Sequence, residues 1–240
     1  MRVELGNFIE DLRATHKDNL ASVILYGSAA TGEFIKWQSD YNVLVALNRI
    51  TPEDLRLAQA PMREWQRMGH PVPVYFTVSE LQNAADVFPI EFHQMQSARI
   101  VLYGEDVLAN LKVNDDYLRL QTEYELRSKL IRLRRLYIPA SNSIEQLSDL
   151  MMRSLTSFAT LFRAVLLLEG TKVPAKKHEC TEILISKLNL NCESFNRIFE
   201  MQQKEKLPKT EKEANDIFSE YIVQIEKVID YVDKIKKPTV

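Results

Sequence analysis

The sequence predicts an α+β fold, in which a mixed sheet flanked by helices is followed by an antiparallel, all-α helical bundle. Short β-branched runs alternate with segments of helical period over residues 1–110, whereas nearly the whole sequence after Asp115 has helical period. The chain has 240 residues, which is enough for two domains that each bury a core. We therefore expect a sheet-containing domain over residues 1–112 and a helical bundle domain over residues 113–240.

The first half begins with a helix that places Phe8, Ile9 and Leu12 on one face. Apolar, β-branched runs then predict four strands, at Ser22–Tyr26, Tyr41–Leu47, Val72–Val78 and Ala98–Gly104. Because Pro73 lacks a backbone donor, the third of these strands is expected at an edge of the sheet.

Helices are expected between the later strands. Thr51 as N-cap and Pro52 in the first turn predict a helix that runs to Met68 and stops at Gly69. Ser79 is expected to cap the next helix.

The second half predicts three long helices and two shorter ones. The first long helix covers Tyr117–Ile138 and should be stopped by Pro139. The second begins after Ser143, which forms a capping box with Gln146, and ends near Gly170. The third has a continuous apolar seam with alternating spacings of three and four residues, from Ala214 to Ile235. Long helices with short links predict an antiparallel bundle.

Charge and composition exclude several classes of protein. The net charge of −2 provides no overall basic field for nucleic acid or an anionic membrane. Cys180 and Cys192 form no CxxC pair, and we interpret them as reduced thiols that are buried or half-buried. The charged N-terminal segment lacks the apolar core of a signal peptide, and the most apolar run, Leu161–Leu168, is too short to span a bilayer. We expect a cytoplasmic protein that does not contact a membrane.

The first candidate for a functional feature is the turn at Gly27-Ser28, directly after a predicted strand. Glycine allows the backbone to approach a ligand closely and to adopt positive φ. Successive free N–H groups in such a turn can hold anionic oxygens, and Ser28 adds a hydroxyl donor. The turn is a candidate phosphate cradle, although a Gly-Ser pair after a strand is also common in simple turns.

A second feature, Asp40 followed by Asn42, strengthens that interpretation. The two positions lie two residues apart at the start of a predicted strand, so their side chains point to the same face. Strand-borne oxygen ligands beside a phosphate cradle are typical of enzymes that hold Mg²⁺ against a nucleotide, because Mg²⁺ binds one or two carboxylates, phosphate oxygens and water.

Gly27-Ser28, a spacer of eleven residues and Asp40-Tyr41-Asn42 resemble the nucleotidyltransferase superfamily of polymerase-β type. The pattern of that superfamily is an apolar strand, Gly-Ser, a spacer and Asp-x-Asp. The segment 85–106 is similar to one in bacterial two-domain proteins that join a minimal nucleotidyltransferase domain to a C-terminal helical domain. The resemblance implies the nucleotidyltransferase fold for the mixed sheet.

The resemblance also implies roles for individual residues. Gly27 and Ser28 would hold the triphosphate of an NTP such as ATP, and Asp40 would ligate Mg²⁺ (or Mn²⁺). Asn42 stands where the superfamily has its second metal-binding acid. An amide oxygen can coordinate Mg²⁺ but brings no charge, so metal affinity is expected to fall.

The third acid of the superfamily, which activates the acceptor hydroxyl, has no close counterpart here. The predicted strand Val72–Val78 contains no acid. Glu80 lies just past its end and Glu91 lies in the following helix, and we take Glu91 as the candidate catalytic acid. His93 is two residues from Glu91, and helical positions two apart do not face each other, so His93 is not assigned a role.

Basic residues concentrate in the helix Tyr117–Ile138. Arg127 and Lys129 are candidates for contacts with nucleotide phosphates across the domain boundary. The alternative is a solvated helix face with i,i+4 ion pairs such as Glu123–Arg127, and that alternative is expected for most of these charges.

Two hypotheses about function remain open at this point. In the first, the protein transfers a nucleoside monophosphate from an NTP to a hydroxyl acceptor, which could be a small molecule, a protein side chain or an RNA end. In the second, the missing acids leave a catalytically degenerate binding or regulatory module, such as an antitoxin-like protein. We expect the cleft for the substrates between the sheet and the helical bundle, and pairing of two copies around it would give a homodimer.

Overall fold

The computed structural model describes residues 2–31, 41–171, 173–174, 177–204 and 206–235. The chain divides into two compact units, Met1–Asp115 and Asp116–Val240. The first unit contains the sheet, and the described part of the second is helical. The predicted α+β class is therefore confirmed.

As far as the chain is described, the sheet of the first unit has four strands: β1 Leu20–Tyr26, β2 Asn42–Leu47, β3 Val74–Thr77 and β4 Arg99–Gly104. Their order is β3-β2-β1-β4. Strand β1 pairs antiparallel with β2 and β4, whereas β2 pairs parallel with β3. The sheet is mixed, as predicted, and β3 is an edge strand that begins just after Pro73.

Within the described part of the first unit, six helices accompany this sheet: α1 Arg2–His16, α2 Ser28–Thr31, α3 Pro52–Leu57, α4 Gln59–Arg67, α5 Val78–Asn83 and α6 Pro89–Ser97. Side chains alternate between the two sheet faces. Val43 and Val45 belong to a core that includes residues of α1 and α4, such as Phe8 and Trp65. Leu44 belongs to a second core, with residues of α5 and α6. Both faces of the sheet are thus covered.

The prediction of a single helix from Thr51 to Met68 is wrong, because this segment forms two helices, α3 and α4, that are separated at Ala58. Pro61 explains the break. A proline inside a helix loses its hydrogen bond to the carbonyl four residues earlier, and its ring clashes with that carbonyl. The carbonyl in question belongs to Leu57, the last residue of α3. The predicted N-cap is present, since Thr51 accepts a hydrogen bond from the backbone N–H of Asp54.

The prediction that Ser79 is the N-cap of the helix after β3, α5, is wrong. Thr77 has this role, because its hydroxyl accepts from the backbone N–H of Glu80 at 3.0 Å. The carboxylate of Glu80 accepts in return from the Thr77 N–H at 2.7 Å. The Thr-x-x-Glu spacing satisfies two backbone donors and begins the helix two residues earlier than a cap at Ser79 would.

The residues described in the second unit form five helices: α7 Leu118–Ala140, α8 Ile144–Leu168, α9 Lys177–Lys187, α10 Glu193–Gln202 and α11 Glu211–Lys234. Helix α8 packs against the other four. The predicted apolar seam of α11 is buried from Ala214 to Val232. Tyr221, within that seam, is fully buried and accepts a hydrogen bond from the hydroxyl of Ser154 of α8 at 3.2 Å.

Pro139 does not stop α7 where the sequence predicted, because the helix continues to Ala140. A proline in the last turn removes only one backbone hydrogen bond, so the turn can still close. Cys192 is also not buried or half-buried as expected. It is exposed at the N-cap of α10, whereas Cys180 is buried.

One helix among the described residues, α8, is long and apolar enough to cross a membrane by length and composition. However, 56% of its apolar window is buried inside the protein. This burial is that of a core helix, in agreement with its central place among the helices of the second unit.

Candidate active site at the ends of β1 and β2

Gly27 directly follows β1 and has a φ of +77°. This left-handed conformation favours glycine over any residue with a Cβ. Its backbone N–H donates to the carbonyl of Ala98 at 3.2 Å, and its carbonyl accepts from the N–H of Ala30 at 2.9 Å. The N–H of Gly27 is therefore already bonded, which corrects the expectation of a run of free N–H groups that begins at this residue.

Asn42 begins β2, and its Cα is paired with that of Tyr26 at the end of β1. Alternation places Asn42 on the same face as Leu44, which contributes to the core under α5 and α6. A Cβ added to Gly27 would lie 3.2 Å from the amide nitrogen of Asn42. Gly27 and Asn42 are thus in close contact, and the glycine leaves the space that this contact needs.

Asp40 lies outside the described residues, and so does most of the spacer before it. The backbone of Ser28 is described as the start of α2. Among the residues that the structure describes, no three His, Cys, Asp or Glu side chains form a group that could hold a metal ion. The metal-binding roles predicted for Asp40 and Asn42 therefore remain predictions.

Helix α6 brings two further polar side chains to this edge. The amide nitrogen of Gln94 lies 3.9 Å from the position that a Cβ on Gly27 would take. Burial raises the pKa of Tyr26, and the negative charge of Glu91 raises it further. Glu91 is exposed. The structure thus brings Gly27, Asn42 and Tyr26 together with Gln94, and places the charge of Glu91 within electrostatic range.

Sequence reasoning missed Tyr26 and Gln94. The sequence pattern indicates that Tyr26 is the last apolar residue of a buried strand, and Tyr26 does pack against the core under α5 and α6. Its position next to Gly27 was the signal that could have identified it. Gln94 lies three residues after Glu91 in the sequence, a spacing that puts both on one side of a helix.

The other acid and the histidine considered near the site have structural partners. Glu80 forms the cap of α5 with Thr77. Nε2 of His93 lies 2.5 Å from a carboxylate oxygen of Asp115. The role of Glu91 as catalytic acid remains a prediction.

Arg127 and Lys129 lie on α7 in the second unit. The guanidinium of Arg127 donates to Glu123 at 2.8 Å and lies 3.8 Å from Asp233. The hydrogen bond to Glu123 raises the pKa of Arg127. The i,i+4 pair predicted as the alternative for this helix is thus present. Lys129 is half-buried and forms no ion pair within the described parts of the chain.

A surface groove of about 140 Å³ lies between α1 and α4. Its floor includes Phe8 and Trp65, whose rings stack with centroids 4.1 Å apart. These residues belong to the core on the opposite sheet face from Asn42 and Tyr26. The groove is therefore separate from the candidate site.

No protein-family model matches the sequence, and no curated protein matches it significantly. Among solved structures, the chain is similar to the crystal structure of spectinomycin adenyltransferase AAD(9) from Enterococcus faecialis with ATP and spectinomycin. The two share 15% sequence identity and superpose with a TM-score of 0.62. The match covers 97% of this chain and 99% of the other. The protein therefore has the nucleotidyltransferase fold with a helical C-terminal part.

Proposed function

We propose that the protein is a nucleotidyltransferase that binds an NTP with Mg²⁺ and transfers a nucleoside monophosphate to the hydroxyl group of a small molecule. The observation that carries the proposal is the contact between Gly27 and Asn42 on a scaffold matched over 97% of the chain by an adenyltransferase. In that neighbour the bound ligands are ATP and spectinomycin. ATP and spectinomycin are accordingly the first nucleotide and acceptor to test here.

In this proposal residues 1–112 form the nucleotidyltransferase-like domain and residues 113–240 the helical bundle domain. The turn at Gly27-Ser28 holds the triphosphate. Because the N–H groups of Gly27 and Ala30 are already bonded, the hydroxyl of Ser28 and the amides of Ser28 and Ala29 are proposed to supply the contacts to phosphate oxygens. The bare α-carbon of Gly27 lets the nucleotide approach next to Asn42.

Mg²⁺ fits the residues of this edge by the chemistry of their donors. The carboxylate of Asp40 and the amide of Asn42 carry hard oxygen ligands, which Mg²⁺ prefers. A bound ion held by these residues would supply positive charge that offsets the charge of the triphosphate. Since Asn42 is neutral, the protein supplies less charge here than two acids would, and we expect weaker metal affinity.

The acceptor hydroxyl attacks the α-phosphorus, the bond between the α-phosphorus and the bridging oxygen breaks, and pyrophosphate leaves. Glu91 is proposed to accept the proton of the hydroxyl. Its charge already acts on Tyr26, the strand partner of Asn42, and it is exposed to solvent. Lys129 and, once released from Glu123, Arg127 would neutralise the phosphates from the helical domain. We place the protein in the cytoplasm, where NTP and Mg²⁺ are abundant.

Calorimetric titration of the intact protein with each NTP, with and without Mg²⁺, tests the binding step. We expect ATP to bind in the presence of Mg²⁺, and Asp40→Asn to reduce that affinity at least tenfold, about 1.4 kcal/mol. Asp18→Asn is the matched control, since Asp18 is an exposed acid of the first unit. Binding that does not depend on Mg²⁺ or on Asp40 would contradict the proposal.

Asn42→Asp tests the remaining hypothesis of a degenerate binding module. If Asn42 takes part in the metal site, the added charge should tighten Mg²⁺-dependent ATP binding. If the wild-type protein binds ATP but transfers nothing, and Asn42→Asp restores transfer, the protein is a decayed enzyme rather than an active one.

A further inference from the structure

The outer face of α7 carries large apolar side chains that the helical unit does not cover. Tyr117, Tyr124, Ile131 and Ile138 follow one another at intervals of seven residues, and Leu120 lies between the first two. We call these five residues the α7 row. Their exposed fractions range from 56% to 74%.

The α7 row lies opposite the face of α7 that packs into the helical unit. That buried face includes Leu118, Thr122, Leu126, Leu130 and Leu133. At about 100° per residue, the centres of the two faces are roughly half a turn apart. An apolar repeat of seven residues is the pattern by which one helix packs along another. The α7 row is thus a helix-packing surface with no helix on it among the described residues.

We propose that the α7 row is the interface of a homodimer, in which α7 packs antiparallel against α7 of a second copy. The four residues of the row that are spaced by seven are symmetric about the midpoint between Arg127 and Ser128, and Leu120 faces the position of Arg135. Tyr117 and Ile138 are equally far from that midpoint, and so are Tyr124 and Ile131. A two-fold axis through the midpoint therefore places each tyrosine against an isoleucine of the other copy, as an isologous contact requires.

Charges beside the row favour the antiparallel arrangement. Glu125 precedes the midpoint and Arg132 follows it, on the same flank of the helix. The two-fold axis brings Glu125 of one copy to within about 3 Å, along the axis, of Arg132 of the other. In a parallel pair the same flanks of the two helices lie on opposite sides of the interface, so Glu125 and Arg132 of different copies do not meet. Within the described residues neither Glu125 nor Arg132 forms an ion pair of its own, so both charges remain to pair between copies.

The size of the row agrees with a dimer interface. At roughly 200 Å² for a large side chain, the exposed fractions amount to about 600 Å² on each copy. Stable interfaces bury about 800 Å² per partner, and the flanking charged side chains can supply the rest. An apolar patch of about 600 Å² is at the upper limit for a monomer.

Sedimentation equilibrium of the intact protein, from submicromolar to tens of micromolar, tests the proposal. We expect a monomer–dimer equilibrium in the wild type and a monomer throughout in the double variant Tyr124→Glu, Ile131→Glu. The matched control is Val223→Glu with Leu207→Glu, because those two apolar residues of the same unit are 45% and 56% exposed. The control should dimerise like the wild type. A monomeric wild type, or a dimer that survives the first double variant, would overturn the proposal.

Cysteine cross-linking tests the direction of the helices. In a Cys192→Ser background, chains with Tyr117→Cys are mixed with chains with Ile138→Cys and oxidised. Antiparallel packing predicts disulfide dimers in the mixture and none from either variant alone. Disulfide dimers between two chains that both carry Tyr117→Cys would indicate parallel helices. If the first unit of the same chain covers the α7 row, no disulfide dimer forms in any sample. Either result overturns the proposal.

Discussion

Replacement of Gly27 with alanine tests whether the turn after β1 is held in its left-handed conformation for the sake of the candidate site. The substitution has two consequences. The φ of +77° becomes strained for an L-residue, at a cost of roughly 1–2 kcal/mol. The new Cβ would also lie 3.2 Å from the amide nitrogen of Asn42, closer than ordinary van der Waals contact, so the amide must move by a few tenths of an ångström.

A displaced side chain that leaves its rotamer well costs about 0.5–1.5 kcal/mol. Together the two effects predict a loss of about 1.5–3.5 kcal/mol in the free energy of unfolding of the first unit. Urea denaturation measures that loss. Because the moved amide belongs to the proposed metal ligand Asn42, we also expect Mg²⁺-dependent ATP binding to weaken at least tenfold, measured by calorimetry.

Gly69→Ala is the matched control, since Gly69 has a φ of +91° but no atom within 4 Å of an added Cβ. It should lose only the backbone contribution, roughly 1–2 kcal/mol, and bind ATP as the wild type does. If both variants lose equal stability and both bind ATP normally, the close contact between Gly27 and Asn42 has no role and the reasoning is refuted.

Three further predictions concern stability. Gly104→Ala should cost more than 3 kcal/mol in urea denaturation, because an added Cβ would lie 2.0 Å from the carbonyl oxygen of Ala21; an effect below that of Gly69→Ala would contradict this. Arg119→Met should lower the free energy of unfolding by about 2–4 kcal/mol, because the buried guanidinium of Arg119 donates a hydrogen bond to Glu123. Arg153→Met should lower it by less than about 1 kcal/mol, because the ion pair of Arg153 with Asp149 is exposed. Equal losses from the two would be contrary to expectation. Burial lowers the pKa of His16, so the folded state resists protonation of its ring. The free energy of unfolding should therefore fall as the pH drops below 6.5, the ordinary pKa of histidine, and His16→Phe should remove this part of the pH dependence. An unchanged pH profile in the variant would exclude His16 as its origin.

The fold could be predicted because local and long-range signals agree. The apolar runs at β1 and β2 are too short for helices and end at turn residues, and the seam of α11 has unbroken helical period. Two helix boundaries differ from the prediction because a local feature acts against the helical period. Pro61 broke a helix that periodicity alone would continue, and the Thr77–Glu80 capping box outcompeted Ser79.

The candidate site was harder to predict because it combines residues that are distant in sequence. Gly27 and Asn42 could be identified from their motif, and the structure brings them into contact. Gln94 could not be placed there, since its approach depends on how α6 packs against β1. The bond from the Gly27 N–H to Ala98 likewise depends on the turn between α6 and β4, which no local pattern specifies.

The central claim is that the protein transfers the nucleoside monophosphate rather than another part of the NTP. Incubation with Mg²⁺ and ATP labelled at either the α- or the γ-phosphate, in the presence of small-molecule hydroxyl acceptors, tests it most directly. We predict that the α-label appears on the acceptor and the γ-label in pyrophosphate, and that Asp40→Asn abolishes both. Transfer of the γ-label to the acceptor, or transfer that persists in Asp40→Asn, would contradict the claim.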